Sequence, residues 1–277
     1  MRIGVTIFAT DRAMAPADVA REAEARGFAS LYVPEHTHIP TSRRTPPPTG
    51  DAVLAEEYKR TLDPWVALGA AAAVTNAIRL GTGIALVAQH DPIALAKQIA
   101  TLDWISGGRA VVGIGYGWNE DEMEHHGVDP RRRRAHVREA MLAMEALWAD
   151  DVASFEGEIV RFAPSWQWPK PVQRPRPPVL IGGAAGPKLF EHIAEYGDGW
   201  IPIGGAGVRE ALVDLRAAYE RRGRDPSALH VVPMGILPSR EKLDYYASVG
   251  VTEAVLRLPS APRDEVLPVL DEFAKLL

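Results

Sequence analysis

Residues 9–18 read ATDRAMAPAD. They follow the apolar, β-branched run RIGVTIF at 2–8 and lead into a helical pattern at 16–26, so they form the first strand-to-helix turn. A doubly wound dinucleotide-binding sheet carries its glycine fingerprint in that turn. Here the turn has no glycine. The glycines come later, as Gly113, Gly115 and Gly117 in VVGIGYGWNEDE (111–122), and their G-x-G-x-G spacing is not the dinucleotide one. Further strand-like runs lie at 30–35, 78–84, 109–115, 178–182, 199–203, 229–236 and 252–258. Helical patterns lie between and after them at 64–75, 92–106, 131–149, 187–196, 207–222, 239–247 and 264–276. In the clearest, Val137, Met141, Met144 and Trp148 recur on one face, and Asp91-Pro92 offers a cap and first-turn pair for the helix at 92. Eight strands, most of them apolar on both faces and each followed by a helix, predict an α/β (β/α)8 TIM barrel.

Two segments interrupt the alternation. Residues 36–63 form a loop after strand two that is long for a compact domain, and on a barrel it emerges at the C-terminal face, as a lid would. Residues 151–177 read as a small hairpin insertion and a proline-rich tether before strand five, a structural cover. With no repeats and no linker, residues 1–277 are expected to form a single barrel domain.

The net charge of −5 provides no basic field for nucleic acid. No run approaches the ~20 apolar residues of a membrane span, and the N-terminus lacks a signal-peptide core, so a cytoplasmic location is expected. The absence of cysteine removes disulfides, thiolate metal sites and a cysteine nucleophile together. None of the six lysines falls on a strand, which disfavours Schiff-base chemistry, and no G-x-S-x-G elbow is present. His36 and His38 make an H-x-H pair on which a metal-dependent hydrolase could be built, but the other strand ends supply no partner ligands, so no metal is expected. His125, His126 and His192 fall on surface-type helical stretches and are expected to be solvated.

What remains is a face rich in glycine and poor in catalytic side chains, which suits a cofactor that carries the chemistry itself. Two loops could hold its anionic end through backbone N–H groups: the one after strand four, and IGGAAGPK (181–188) after strand five, which leads into a helix. The plain alternative is that these glycines only permit tight turns.

Taken in order, IRLGTGIALVAQHDPIALAKQIATLDWISGGR (78–109), AVVGIGYGWNEDE (110–122), PKPVQRPRPPVLIGGAAGPK (169–188) and EYGDGWIPIG (195–204) resemble the luciferase-like monooxygenase superfamily of flavin- and deazaflavin-dependent oxidoreductases. The likeness runs from the first strand to about residue 205 and weakens beyond it. It implies a (β/α)8 barrel with a cofactor across its C-terminal face. The tail phosphate would be held at Gly115, Tyr116, Gly117 and Trp118, and at Gly182, Gly183, Ala184 and Gly186. A non-prolyl cis peptide under the cofactor ring would match Gly83–Ile84. In the deazaflavin branch an acid–histidine pair closes strand two, matching Glu35-His36, with His36 as proton donor or substrate-positioning group. Some deazaflavin dehydrogenases carry a glutamate where this chain has Trp118, which puts a sugar-phosphate dehydrogenase activity in doubt.

The resemblance therefore implies an F420-dependent oxidoreductase moving a hydride between a deazaflavin and a small organic substrate. FMN is the alternative cofactor, with an oxygen-dependent monooxygenase the corresponding activity. A non-catalytic flavin- or deazaflavin-binding protein is a reading of another class. Arg131 to Arg134 open a helix, where positive charge is disfavoured. Their partners are either the neighbouring acids Glu120, Asp121, Glu122, Glu124 and Asp129 or an anionic tail. A homodimer is a further expectation from the resemblance.

Overall fold

The computed structural model describes residues 1–47 and 53–277; residues 48–52, inside the loop after strand two, lie outside the described residues. In chain order the elements are β1 (Arg2–Thr6), α1 (Pro16–Ala25), β2 (Ser30–Val33), α2 (Pro64–Ala72), β3 (Arg79–Thr82), α3 (Pro92–Ile105) and β4 (Ala110–Ile114). Then come α4 (Glu120–His125), α5 (Arg133–Ala149), β5 (Ala153–Glu156), β6 (Arg161–Ser165), β7 (Val179–Gly182), α6 (Pro187–Tyr196) and β8 (Gly199–Ile201). The last are α7 (Val208–Arg221), β9 (His230–Val231), β10 (Met234–Ile236), α8 (Arg240–Val249), β11 (Glu253–Arg257) and α9 (Arg263–Ala274). Every expected helix is present to within two residues at most ends, and every expected strand is present though shorter, the one at 229–236 as two pieces. Helices begin where sequence chemistry places them: Asp63 and Asp91 each precede a proline and accept the backbone N–H of Val66 and Ala94.

Nine strands form one curled parallel sheet in the order β10-β11-β1-β2-β3-β4-β7-β8-β9. Its two edges are consecutive in the chain. The expected single strand at 229–236 is broken, because Pro233 has no N–H to give and Gly235 takes a positive φ of 73°. Hydrogen bonds nonetheless run from this segment to both sides. Val232 N and Met234 N donate to the carbonyls of Trp200 and Pro202, and Val255 N donates to the carbonyl of Pro233.

Apolar side chains separate into two clusters. The larger lies between sheet and helices and includes the predicted face of α5. The smaller lies on the inner face and is built from Tyr32, Val111, Leu180, Ile201, Val232, Met234 and Val255, with Ile84 packed against it. At the opposite end of the strands, buried Glu253 accepts from Ser30 and lies 3.3 Å from Arg2 Nε. These groups lie where the strands begin, and the loops singled out in the sequence lie at the other end, where the strands finish.

The antiparallel pair β5 and β6 is the expected hairpin. Its tether is tied down by Lys170, whose ammonium donates to the carbonyls of Leu147 and Asp150, and by Gln173, which bonds Asp103. Among the described residues, no helix is long and apolar enough to cross a membrane.

Candidate functional site

The peptide bond between Gly83 and Ile84, just past β3, is cis. Ile84 then lies against the ends of two neighbouring strands. A Cβ at Gly115 would come within 2.6 Å of Ile84 Cδ1, and one at Gly182 within 3.1 Å of Ile84 Cγ2. A Cβ at Gly83 would meet Met234 Sδ at 2.5 Å. Ile84 thus leaves little room for a side chain at Gly115 and Gly182, and Met234 with Tyr32 leaves little at Gly83, which bears on their identity before any ligand is considered. Together with Ile84 they form a floor at the end of the sheet where the strands finish.

The rims of that floor are the two glycine loops. Part of the expected amide array is already used within the protein: Gly115 N donates to Ala85 O at 3.0 Å, and Gly183 N to Ile201 O at 3.4 Å. Among the described residues, the N–H groups of Tyr116, Gly117 and Trp118, and of Ala184, Ala185 and Gly186, have no protein acceptor. Gly117 has a φ of 77°, a backbone state that favours glycine. Gly186 precedes Pro187 at the start of α6, and nothing lies within 4 Å of the place a Cβ would take there.

A buried polar cluster joins the two loops. Tyr116 Oη shares a hydrogen bond with His192 Nδ1 at 2.7 Å and lies 3.2 Å from Tyr196 Oη. His192 is thus not solvated as expected, since α6 turns it inward. Burial, aided by the nearby Arg134 charge, holds its imidazole below the ordinary range. The guanidinium of Arg134 stacks 4.3 Å from the Tyr116 ring, and its Nη1 is buried without a partner. The rest of the arginine run is paired: Arg131 with Asp129, Arg132 with Glu158 and Arg133 with Glu120. Asp121 and Glu124 turn the other way, to Arg44 of the loop after β2.

At the end of β2, Glu35 and His36 face different partners. Glu35 is buried. Its Oε2 accepts the Leu86 N–H at 2.6 Å and its Oε1 meets His90 Nε2 at 2.8 Å. Both oxygens are committed to the turn after β3, so Glu35 supports the Ile84 floor instead of facing reactants. Burial alone would lower His90, but the hydrogen bond and charge of Glu35, with the charge of Asp63, raise it above its ordinary value.

His36 Nδ1 lies 2.8 Å from Glu122 Oε2, with the imidazole side chain 7% and the glutamate side chain 1% exposed. The rings of Tyr58 and Trp118 flank the imidazole at 5.5 and 5.8 Å. His38 diverges from His36 and stacks on His125, with Nε2 2.9 Å from His125 Nδ1, while Thr37 reaches His126 at 2.8 Å. The expected solvated pair at 125–126 is exposed but bonded to this loop. Among the described residues, no three His, Asp or Glu side chains form a group able to hold a metal ion.

Residues 2–245 match the family model described as luciferase-like monooxygenase. The chain belongs to the luciferase-like monooxygenase family. An uncharacterized protein of Mycobacterium tuberculosis is 48% identical over 280 residues, covering 100% of this chain and 99% of that one. An F420-dependent glucose-6-phosphate dehydrogenase of Kineococcus radiotolerans is 30% identical over 75% of this chain and 59% of its own length. The crystal structure of monooxygenase RslO1 from Streptomyces bottropensis superposes with a TM-score of 0.81 at 24% identity, covering 100% of this chain and 98% of that one. Membership of this luciferase-like family places the chain among oxidoreductases, and the solved structure shares its fold.

Among the groups of this candidate site, Glu122 and Arg134 enter the sequence reading only as members of charge runs, and Tyr58 is not singled out. Glu122 is hidden in an acidic run, where nothing marks the one residue that turns inward. Arg134 is likewise one of four identical letters. Tyr58 belongs to a short 3-10 turn (Glu56–Arg60) in a stretch that reads only as loop.

Proposed function

We propose that the protein is an F420-dependent oxidoreductase that moves a hydride between a deazaflavin and a small organic substrate. The curled sheet is read as one domain, an eight-stranded barrel in which residues 230–236 count as a single strand joining its edges. The observation that carries the reading is the set of N–H groups at Tyr116–Trp118 and Ala184–Gly186 without protein acceptors, beside a buried Arg134 nitrogen that also lacks one. An unpaired buried cationic donor is costly and is kept where a ligand completes it. These residues fit the anionic end of a phosphate-bearing cofactor, with the helix dipole of α6 adding to the field.

When bound, a deazaflavin supplies a carbon centre that accepts or returns a hydride. The chain's own residues do the rest. Gly83, Gly115 and Gly182, with the Ile84 side chain between the last two, provide a floor on which a planar ring can lie. Tyr116, Gly117, Trp118, Ala184 and Gly186 hold the anion, and Gly183 shapes its loop. Glu35 positions the turn beneath the floor. His36 holds or moves the substrate proton at Nε2, and the loop after β2, strapped to α4 by Arg44, excludes water. The 30% identical F420-dependent relative supports the deazaflavin over FMN. A cytoplasmic location, expected from the sequence, and a homodimer, expected from the resemblance, belong to the same proposal.

Titration of the purified protein with F420 and with FMN, followed by fluorescence, tests this. F420 is expected to bind in the micromolar range or tighter. Binding of FMN alone would transfer the site to an oxygen-dependent monooxygenase, and binding without turnover on any alcohol, aldehyde or imine would make it a carrier. His36→Ala is expected to keep cofactor affinity while turnover falls about 10²-fold or more, the usual size of an acid–base contribution.

A further inference from the structure

The Glu122 carboxylate is the most deeply buried acid near the end of the sheet where the strands finish, and half of it is unexplained. Oε2 meets His36 Nδ1 at 2.8 Å, while Oε1 is buried with no partner. Asn119, three residues earlier on the same helical turn, also buries both amide atoms without partners. Polar atoms left in this state weaken a fold, so stability alone does not account for Glu122. Its neighbours do not neutralise it either. Of the arginines that follow α4, Arg131 pairs with Asp129 and Arg133 with Glu120, while Arg44 pairs with Asp121 and Glu124. The titratable groups around the imidazole are Glu122 from α4 and Tyr58 from the 3-10 turn; His126 lies close enough to sense the Glu122 charge.

We infer that Glu122 is a positioning residue that fixes His36 with its proton on Nδ1 and leaves Nε2 as the reactive nitrogen. An ionised carboxylate only accepts hydrogen bonds, so the imidazole nitrogen facing it must be the donor. The other nitrogen is then bare in the neutral ring. His36 Nε2 has no protein partner among the described residues. In the oxidative direction, the substrate C–H bond breaks with its electron pair passing to the cofactor as hydride, and the O–H proton passes to Nε2. The imidazolium so formed is balanced by the Glu122 carboxylate at 2.8 Å. In the reductive direction the same proton returns to the carbonyl oxygen. Trp118 and Tyr58 keep the ring plane from swinging.

This inference rests on the proton-handling role proposed for His36, and its test separates the two. The ring ¹⁵N shifts of His36, measured on the protein without cofactor, report which nitrogen carries the proton. In the wild type, protonated Nδ1 and bare Nε2 are expected. In Glu122→Gln the amide can accept or donate, so the selection is lost and the Nδ1–H share falls. With F420 bound, Glu122→Gln is expected to lower kcat roughly 10-fold, as for other residues that orient a working imidazole, with KM little changed. Glu122→Asp, which keeps the charge, should restore part of it. A wild-type ring protonated at Nε2, which would require a neutral Glu122 acting as donor, overturns the inference. So do shifts and kcat left unchanged in Glu122→Gln. If the ring shifts behave as expected but His36→Ala retains full turnover, the dyad stands and the proton role of His36 fails.

Discussion

Arg134 shows how much one residue of a repeated letter can differ from its neighbours. Arg131, Arg132 and Arg133 each find a carboxylate at the surface, while Arg134 turns over the Tyr116 ring and leaves Nη1 buried and unmet. Arg134→Met keeps the stem that packs on the ring and removes the charge. Without ligand, the variant should be as stable as the wild type or slightly more so, because an unpaired buried donor has gone. Affinity for F420 should fall about 10- to 100-fold, as one charge-assisted contact contributes roughly 1.5–3 kcal/mol. Isothermal calorimetry with both proteins measures this, and equal affinities would remove Arg134 from the anion site. The sequence leaves the partners of the four arginines open between neighbouring acids and an anionic tail, and cannot say which one turns inward. That choice depends on the helical phase of α5 against Tyr116, which no local pattern records. Glu35 and His36 show the same limit. They are adjacent letters assigned to one task, but they lie past the end of β2 and take different partners, one the Leu86 turn and one Glu122.

At the scale of elements, the glycines divide into those the packing requires and those it does not. A Cβ on Gly113 in β4 would fall against the Thr82 carbonyl oxygen of β3, a backbone atom that cannot step aside. Gly113→Ala should therefore separate the two strands and destabilise the protein by about 1–3 kcal/mol, as overpacking does. Gly186→Ala meets nothing within 4 Å and its φ of 166° is ordinary extended backbone, so its cost should stay within ~0.5 kcal/mol. Urea midpoints of the two variants test the contrast; equal losses would mean that strand spacing at Gly113 is not limiting. The strands themselves were readable from β-branched runs, because covering helices make both faces apolar and the signal dense. Less readable was α4, only six residues long and written as EDEMEH. Its two inward residues, Glu122 and Met123, are too few to set a period. The division of 229–236 into β9 and β10 was hidden for a different reason. Pro233 and Gly235 break the ladder without ending the extended course of the chain.

The whole molecule links its stability to pH through the turn beneath the proposed cofactor floor. Glu35 ties β2 to the turn after β3 by accepting from Leu86 N and by pairing with His90, and that turn carries Ile84. Burial opposes charge on His90, yet Glu35 and Asp63 together raise its folded-state value above the ordinary one. A histidine whose affinity for its proton rises on folding stabilises the protonated fold. The contribution is complete below the unfolded value near pH 6.5 and is lost as pH climbs through the raised folded value. His90→Gln keeps a hydrogen-bond donor for Glu35 but no titration. The urea midpoint of the wild type should therefore exceed that of His90→Gln by its widest margin near about pH 6, and the margin should narrow towards about pH 9. A margin that stays flat or widens with pH would show that His90 is not the proton-linked group. Since the same turn sets the height of Ile84 between Gly115 and Gly182, loosening it at high pH should also weaken cofactor binding. The F420 dissociation constant of the wild type is then expected to rise over the same interval, while that of His90→Gln stays level.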